Sequence, residues 1–147
     1  MNWKIKRFEE LNTAELYEIL RVRAEVFVVE QTCVYQDLDL KDKKAYHLFL
    51  EENQEILAYL RILDKEVSYP EISIGRVLTT EVNRRKGIAR EMMRKAITFI
   101  TEELEEKKIR ISAQLYLKEF YESLGFVQVS EMYLEDEIPH VEMLYGG

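Results

Sequence analysis

Apolar and basic residues alternate over residues 3–8, the period of a strand with one buried face. The period then changes. Asn12 stands three residues ahead of Glu15, the spacing of a capping box, and Leu16, Ile19, Leu20, Val26 and Phe27 follow at helical intervals. Residues 28–44 are polar and rich in Asp and Lys, which predicts a loop. Residues 47–50 and 56–63 read as strands around a turn at Asn53-Gln54, and residues 72–79, entered after Pro70, as another. The longest helical signal covers residues 87–107: Ile88, Met92, Met93, Ala96, Ile97, Ile100 and Leu104 make one apolar stripe. Arg90, Glu91, Arg94 and Lys95 lie opposite, and Lys107-Lys108 suits the negative end of the helix dipole. A short strand, residues 109–112, follows. Leu117, Phe120, Tyr121 and Leu124 mark a short helix closed by Gly125, and residues 126–133 and 141–144 form a last pair of strands. The order β-α-β-β-β-α-β-α-β-β places the chain in the α/β (α+β) class, a sheet flanked by helices.

Length and charge narrow this picture. The 147 residues suit one domain, residues 1–147, with no linker-like stretch between candidate halves. The lone Cys33 allows no internal disulfide and no multi-cysteine metal site, so no metal is expected. The first residues lack the apolar run of a signal peptide, and no stretch is apolar enough to span a bilayer. A cytoplasmic protein is the expectation. A net charge of −7 argues against nucleic-acid binding and tilts the surface toward cationic partners, amines among them.

One segment carries chemistry. The strand at residues 74–79 runs through Glu81-Val82-Asn83 into Arg84-Arg85-Lys86-Gly87-Ile88-Ala89 at the start of the long helix. A helix N-terminus offers unpaired N–H groups and a partial positive charge. Gly87 and Ala89 let a phosphate approach, and Arg84, Arg85 and Lys86 add charge, so the segment suits a pyrophosphate. The plainer alternative is a solvated turn opening a surface helix. The pattern lacks the glycine spacing and Ser/Thr of a P-loop and has one glycine where a dinucleotide fingerprint has several.

Arg84-x-x-Gly87-x-Ala89 after a strand resembles motif A of the GNAT superfamily of N-acetyltransferases, and Phe120-Tyr121-x-x-x-Gly125-Phe126 resembles its second landmark. A closer likeness, to the ElaA-type subgroup, rests on Val26-Phe27-Val28-Val29-Glu30-Gln31-x-Cys33-x-Tyr35-x-Asp37-x-Asp39. It extends to Ile74-Gly75-Arg76-Val77, Ser112-Ala113-Gln114 and Ile138-Pro139-His140. The resemblance covers nearly the whole chain and implies the GNAT fold, a mixed twisted sheet splayed open to admit acetyl-coenzyme A as acetyl donor. It implies that the backbone of Val77, Leu78 and Thr79 pairs with the pantetheine arm. The segment Arg84, Arg85, Lys86, Gly87, Ile88, Ala89 and Arg90 would hold the pyrophosphate, its amides from about Arg85 onward. An amide near Leu78 would steady the oxyanion, a donor worth about 3 kcal/mol of barrier. Tyr121 stands where the family's tyrosine protonates the departing thiolate, although its place on the stripe of Leu117, Phe120 and Leu124 also suits packing. Gln114 and Leu117 depart from the family pattern, Gln114 replacing an Asn that contacts the cofactor.

The acceptor implied is an amine, small or on a peptide. Glu25, Glu30, His47 and His140 are candidates for the base that removes its proton, and spacing selects none of them. Cys33 has no basic neighbour to activate it. Asp37, Asp39, Asp42 and Glu135-Asp136-Glu137 either keep the surface soluble or draw an ammonium inward. A non-catalytic acyl-coenzyme A-binding or regulatory module on the same fold is the competing reading. GNAT domains often dimerise, so a homodimer is a further expectation.

Overall fold

The computed structural model describes residues 1–146. Along the chain run β1 (Asn2–Arg7), α1 (Thr13–Arg23), β2 (Ala45–Glu52), β3 (Glu55–Leu63), β4 (Ile72–Thr79) and α2 (Ile88–Thr98). Then come β5 (Ile109–Gln114), α3 (Lys118–Glu122), β6 (Phe126–Gln128), β7 (Tyr133–Glu135) and β8 (Ile138–Tyr145). The eight strands make one sheet in the order β1-β2-β3-β4-β5-β8-β6, with β7 also on β8. Every pairing is antiparallel except β4 with β5.

The capping box at Asn12 forms as its spacing predicts. The Asn12 side chain accepts from the Glu15 amide at 2.7 Å, and Glu15 accepts from the Asn12 amide at 3.0 Å. Glu15 also receives Lys4 and Lys6. Ile19, Val22 and Val26 pack α1 and the turn after it onto one sheet face, against Phe49, Ile56, Tyr59 and Leu78. Met92, Met93, Ala96 and Ile97 pack α2 onto the other face, against Leu48, Leu60, Ile62, Ile72, Ile74 and Ile111. Tyr121 brings α3 to this same side. Burial of this kind contributes roughly 25 cal/mol per Å² of apolar surface.

Several boundaries differ from the expectation. The Asn53-Gln54 turn forms, with φ of 51° and 65°. The loop assigned to residues 28–44 begins later, because a widened helical turn carries the chain through Ala24–Glu30. The long helix at residues 87–107 keeps α geometry only to Thr98, then widens over Phe99–Glu103, where the Thr101 hydroxyl donates to the Ile97 carbonyl at 2.9 Å. The strand at residues 126–133 is two strands. Between them Ser130 Oγ accepts from the Glu142 amide at 2.8 Å, so a side chain replaces a rung of the ladder. β8 starts at Ile138, ahead of the expected residue 141, because Asp136 and Glu137 turn the hairpin with φ of 51° and 66°.

Candidate active site

β4 and β5 are paired only at Ile72–Ile109 and Ser73–Arg110, and beyond that point they diverge. Parallel strands that part in this way expose backbone that a flat sheet would have paired. The opening is a cleft of about 870 Å³, with Gly75, Val77, Leu78 and Thr79 on one wall and Ile111, Ser112 and Gln114 on the other. On β4 a bulge deepens it. Tyr59 pairs with Leu78 and Arg61 with Gly75, so β4 carries one residue more than β3 across this interval, and Arg76 takes φ of 51°. A Cβ built on Gly75 meets nothing within 4 Å, and its φ is not left-handed. What this glycine preserves is room in the cleft.

One end of the cleft is the start of α2. Unlike α1, this helix has no side-chain cap: its N-cap is Gly87, at φ 77°. The first intrahelical bond of the ladder runs from the Glu91 amide to the Gly87 carbonyl at 3.1 Å, which leaves the amides of Ile88, Ala89 and Arg90 pointing out of the helix end. A Cβ on Gly87 would also stand in open space, so the cradle admits an anion. Arg84 is anchored to protein, donating to Glu30 at 2.6 Å and to the Thr79 carbonyl at 2.9 Å. Arg90 donates to Ser123 at 2.8 Å and covers the Phe120 ring, tying α2 to α3. Arg85 and Lys86 are exposed and make no ion pair among the described residues, so the free positive charge is theirs.

Tyr121 lines the middle of the cleft from the α3 side. Its ring is held edge-on between Phe120 and Phe126, at 5.2 and 6.0 Å, while its hydroxyl bonds to no described residue. Burial, with a smaller push from Tyr116, raises the phenol well above its ordinary value and keeps it protonated.

The other end is built by the loop after α1. Asp37 and Asp42 are buried, Asp39 is half-buried at the cleft, and all three are engaged within the protein. They neutralise three arginines. Arg23, fully buried, donates to Asp37 at 2.9 Å and Asp42 at 2.6 Å, while Arg61 reaches Asp39 and Asp42. Arg76 donates to the Asp37 carbonyl at 3.0 Å; its Nε lies 2.8 Å from Asp37 Oδ1 but out of line for a hydrogen bond. Burial pushes Asp39 up, but Arg61, then the Lys41 amide and Arg76, outweigh it and hold the carboxylate well below its usual range. Asp42 is held low in the same way by Arg23 and Arg61.

The four candidate bases separate. His47 is completely buried, with Nδ1 on the Tyr59 hydroxyl at 2.7 Å and Nε2 on the Asp42 carbonyl at 2.9 Å. Burial lowers its pKa, and it is structural. Glu25 pairs with Arg21 on the surface, and Glu30 with Arg84. His140 lines the cleft and pairs across the ladder with Gln114. Glu135 and the stacked Tyr133 stand against it and Ser112 donates to Glu135, while Tyr69, pushed up to about 12 chiefly by burial, lines the same cleft.

The structure thus brings Val77, Leu78, Thr79, Arg84, Ala89, Gln114 and Tyr121 around one cleft. Gly87 and Arg90 border the groove on the outer side of the same helix end. Ile88 packs on the main core. Sequence reading missed the arginine–aspartate network and the Ser112–Tyr133–Glu135 surround. Arg61 was the available signal, a charge inside the apolar run Ile-Leu-Ala-Tyr-Leu-Arg-Ile-Leu, which demands a buried partner.

Comparison with known proteins agrees with this geometry. The model of the acetyltransferase (GNAT) domain family matches residues 12–145. The protein ElaA of Escherichia coli K12 is 37% identical over 97% of this chain and 95% of its own. A UPF0039 protein of Synechocystis is 39% identical over 99% of this chain and 95% of its own. Among solved structures, an acyl-CoA N-acyltransferase from Pseudomonas aeruginosa superposes with a TM-score of 0.92 at 37% identity, covering 99% of both chains. Escherichia coli ElaA gives the same TM-score, identity and coverage.

Proposed function

Because this chain belongs to the GNAT acetyltransferase family and is an acyltransferase, we propose that it moves an acetyl group from acetyl-coenzyme A to a primary amine. The observation that carries the reading is one cleft that reaches Ala89 in the uncapped first turn of α2 and also holds an unengaged buried phenol. The helix end suits a pyrophosphate, with the amides of Ile88, Ala89 and Arg90 as donors and Arg85 and Lys86 as free cations. The open backbone of Val77, Leu78 and Thr79 gives a pantetheine arm a strand to lie along. The bulge beside Leu78 supports an amide turned toward a thioester carbonyl. Tyr121 supplies the proton that a departing thiolate needs. Acetyl-coenzyme A contributes the activated acetyl group, and these residues contribute its binding, orientation and protonation.

The test is thiol release from acetyl-coenzyme A against a library of primary amines, with the acetylated product identified by mass. Transfer to one amine class supports the reading. Coenzyme binding without transfer to any amine contradicts it and leaves an acyl-coenzyme A-binding module.

A further inference from the structure

Alternate residues of β5 and β8 point away from the α2 core. Ala113 and Val141 face that core, so their ladder neighbours Gln114 and His140 face the other way, as do Ser112 and Glu142. The result is a polar wall beside the β4–β5 opening. Within it one nitrogen of His140 is committed to the protein. His140 Nδ1 lies 2.7 Å from the Ile138 carbonyl, which can only accept, so Nδ1 carries a hydrogen and Nε2 is the nitrogen left to the cleft, with its lone pair available in the neutral ring. Nε2 lies 3.5 Å from Glu135 Oε2, also an acceptor. In the neutral ring, two acceptors then face each other at the cleft. An ammonium supplies the donor such a pair takes.

We propose that His140 is the general base of the reaction and Glu135 its positioning partner. The inference rests on the reading of the cleft as an acetyltransferase site. The acceptor enters as an ammonium, hydrogen-bonded to Nε2 and Glu135. One N–H proton passes to Nε2, and the imidazolium pairs with the Glu135 carboxylate. The amine nitrogen then forms a bond to the thioester carbonyl carbon, and the carbon–sulfur bond breaks with its electron pair on sulfur. Tyr121 protonates that thiolate and recovers its proton, through water, from the new amide nitrogen. His140 returns its own proton to solvent. The remaining groups around the imidazole are the stacked Tyr133, Ser112 donating to Glu135 at 3.3 Å, Gln114, Glu142 held by Arg110, and Asp136 at the hairpin turn. None of them is a free cation competing for the carboxylate.

His140→Asn separates chemistry from structure, because an asparagine amide can keep the hydrogen bond to the Ile138 carbonyl while removing Nε2. The substrates are acetyl-coenzyme A with 2-phenylethylamine or spermidine. The expected result is wild-type acetyl-coenzyme A affinity, near-normal KM, and transfer at pH 7 reduced about a hundredfold or more. The deficit should close as pH rises and unprotonated amine accumulates. Activity within threefold of wild type with an unchanged pH profile would overturn the assignment. If wild type uses neither amine, the chain's two histidines make the long-range proton–nitrogen spectrum decisive. A hydrogen on His140 Nδ1, with Nε2 shifted by millimolar ethylammonium but not by sodium, supports the proposal; a hydrogen on Nε2 overturns it. Failure of wild type to bind acetyl-coenzyme A at all overturns the donor reading and this step together.

Discussion

Tyr121 packs in the core and, in the proposed function, also supplies the acid. Its ring belongs to the core and is 6% exposed, yet it lines the cleft. Packing and an acid role look like alternatives in the sequence, because the stripe of Leu117, Phe120 and Leu124 accounts for the ring alone. The hydroxyl, which bonds to no described residue, is what the acid role rests on. Tyr121→Phe leaves the ring contacts intact, so coenzyme affinity should persist while kcat falls roughly a hundredfold. Burial raises the phenol's pKa, so its protonated form persists through neutral and mildly alkaline pH. A rate profile up to pH 9 should then show no alkaline loss from this group. Equal kcat for the phenylalanine variant would remove Tyr121 from the mechanism.

Among the elements, the contrast between α1 and α2 is the informative one. α1 is capped by Asn12 and Glu15, and its N-terminus is satisfied within the protein. α2 begins at a bare glycine, and its donors are kept for something else. Both starts were legible, because capping depends on residues three apart and glycine at a left-handed position is a local requirement. The loop after α1 was not. Asp37, Asp39 and Asp42 look like solubilising charges because their partners, Arg61 and Arg76, come from β3 and β4, far along the chain. Arg23 anchors this loop to the helix. Arg23→Ala removes the fully buried cation of the network and leaves Asp42 to Arg61 and Asp37 to Arg76 alone, which should cost about 3 kcal/mol or more. Arg21→Ala, which removes exposed pairs with Glu18 and Glu25, should cost under about 1 kcal/mol. Urea midpoints compare the two, and equal losses would show that the buried network is not what holds the loop.

For the whole molecule, fold class and element order were readable because apolar period and turn residues are local signals. The splitting of β6 from β7 was not, since it depends on Ser130 meeting the Glu142 amide across the sheet. Spacing could not choose among the four candidate bases for the same reason: His140 gains meaning from Ile138 and from a carboxylate reached across the hairpin turn. The buried ionisable groups also set how the folded chain responds to acid. His47 stays neutral in the native state, while the unfolded chain takes up a proton there near pH 6.5, so stability declines as pH falls through that region. Asp39 and Asp42 have depressed native values. Their contribution is present above about pH 4, where unfolded carboxylates ionise, and is lost on further acidification. Unfolding midpoints should therefore drop in two stages between pH 8 and 3, and His47→Gln should remove the first. A midpoint constant from pH 8 to 5 would contradict the buried neutral histidine.

Calorimetric titration with acetyl-coenzyme A, alongside coenzyme A and dephospho-coenzyme A, tests the cleft most directly. Micromolar binding is expected, weakened about tenfold when Arg85 and Lys86 are both replaced by alanine, because theirs are the unpaired charges at the helix end. Folded protein that binds none of the three ligands would contradict the assignment of the α2 N-terminus and the β4–β5 opening as an acyl-coenzyme A site.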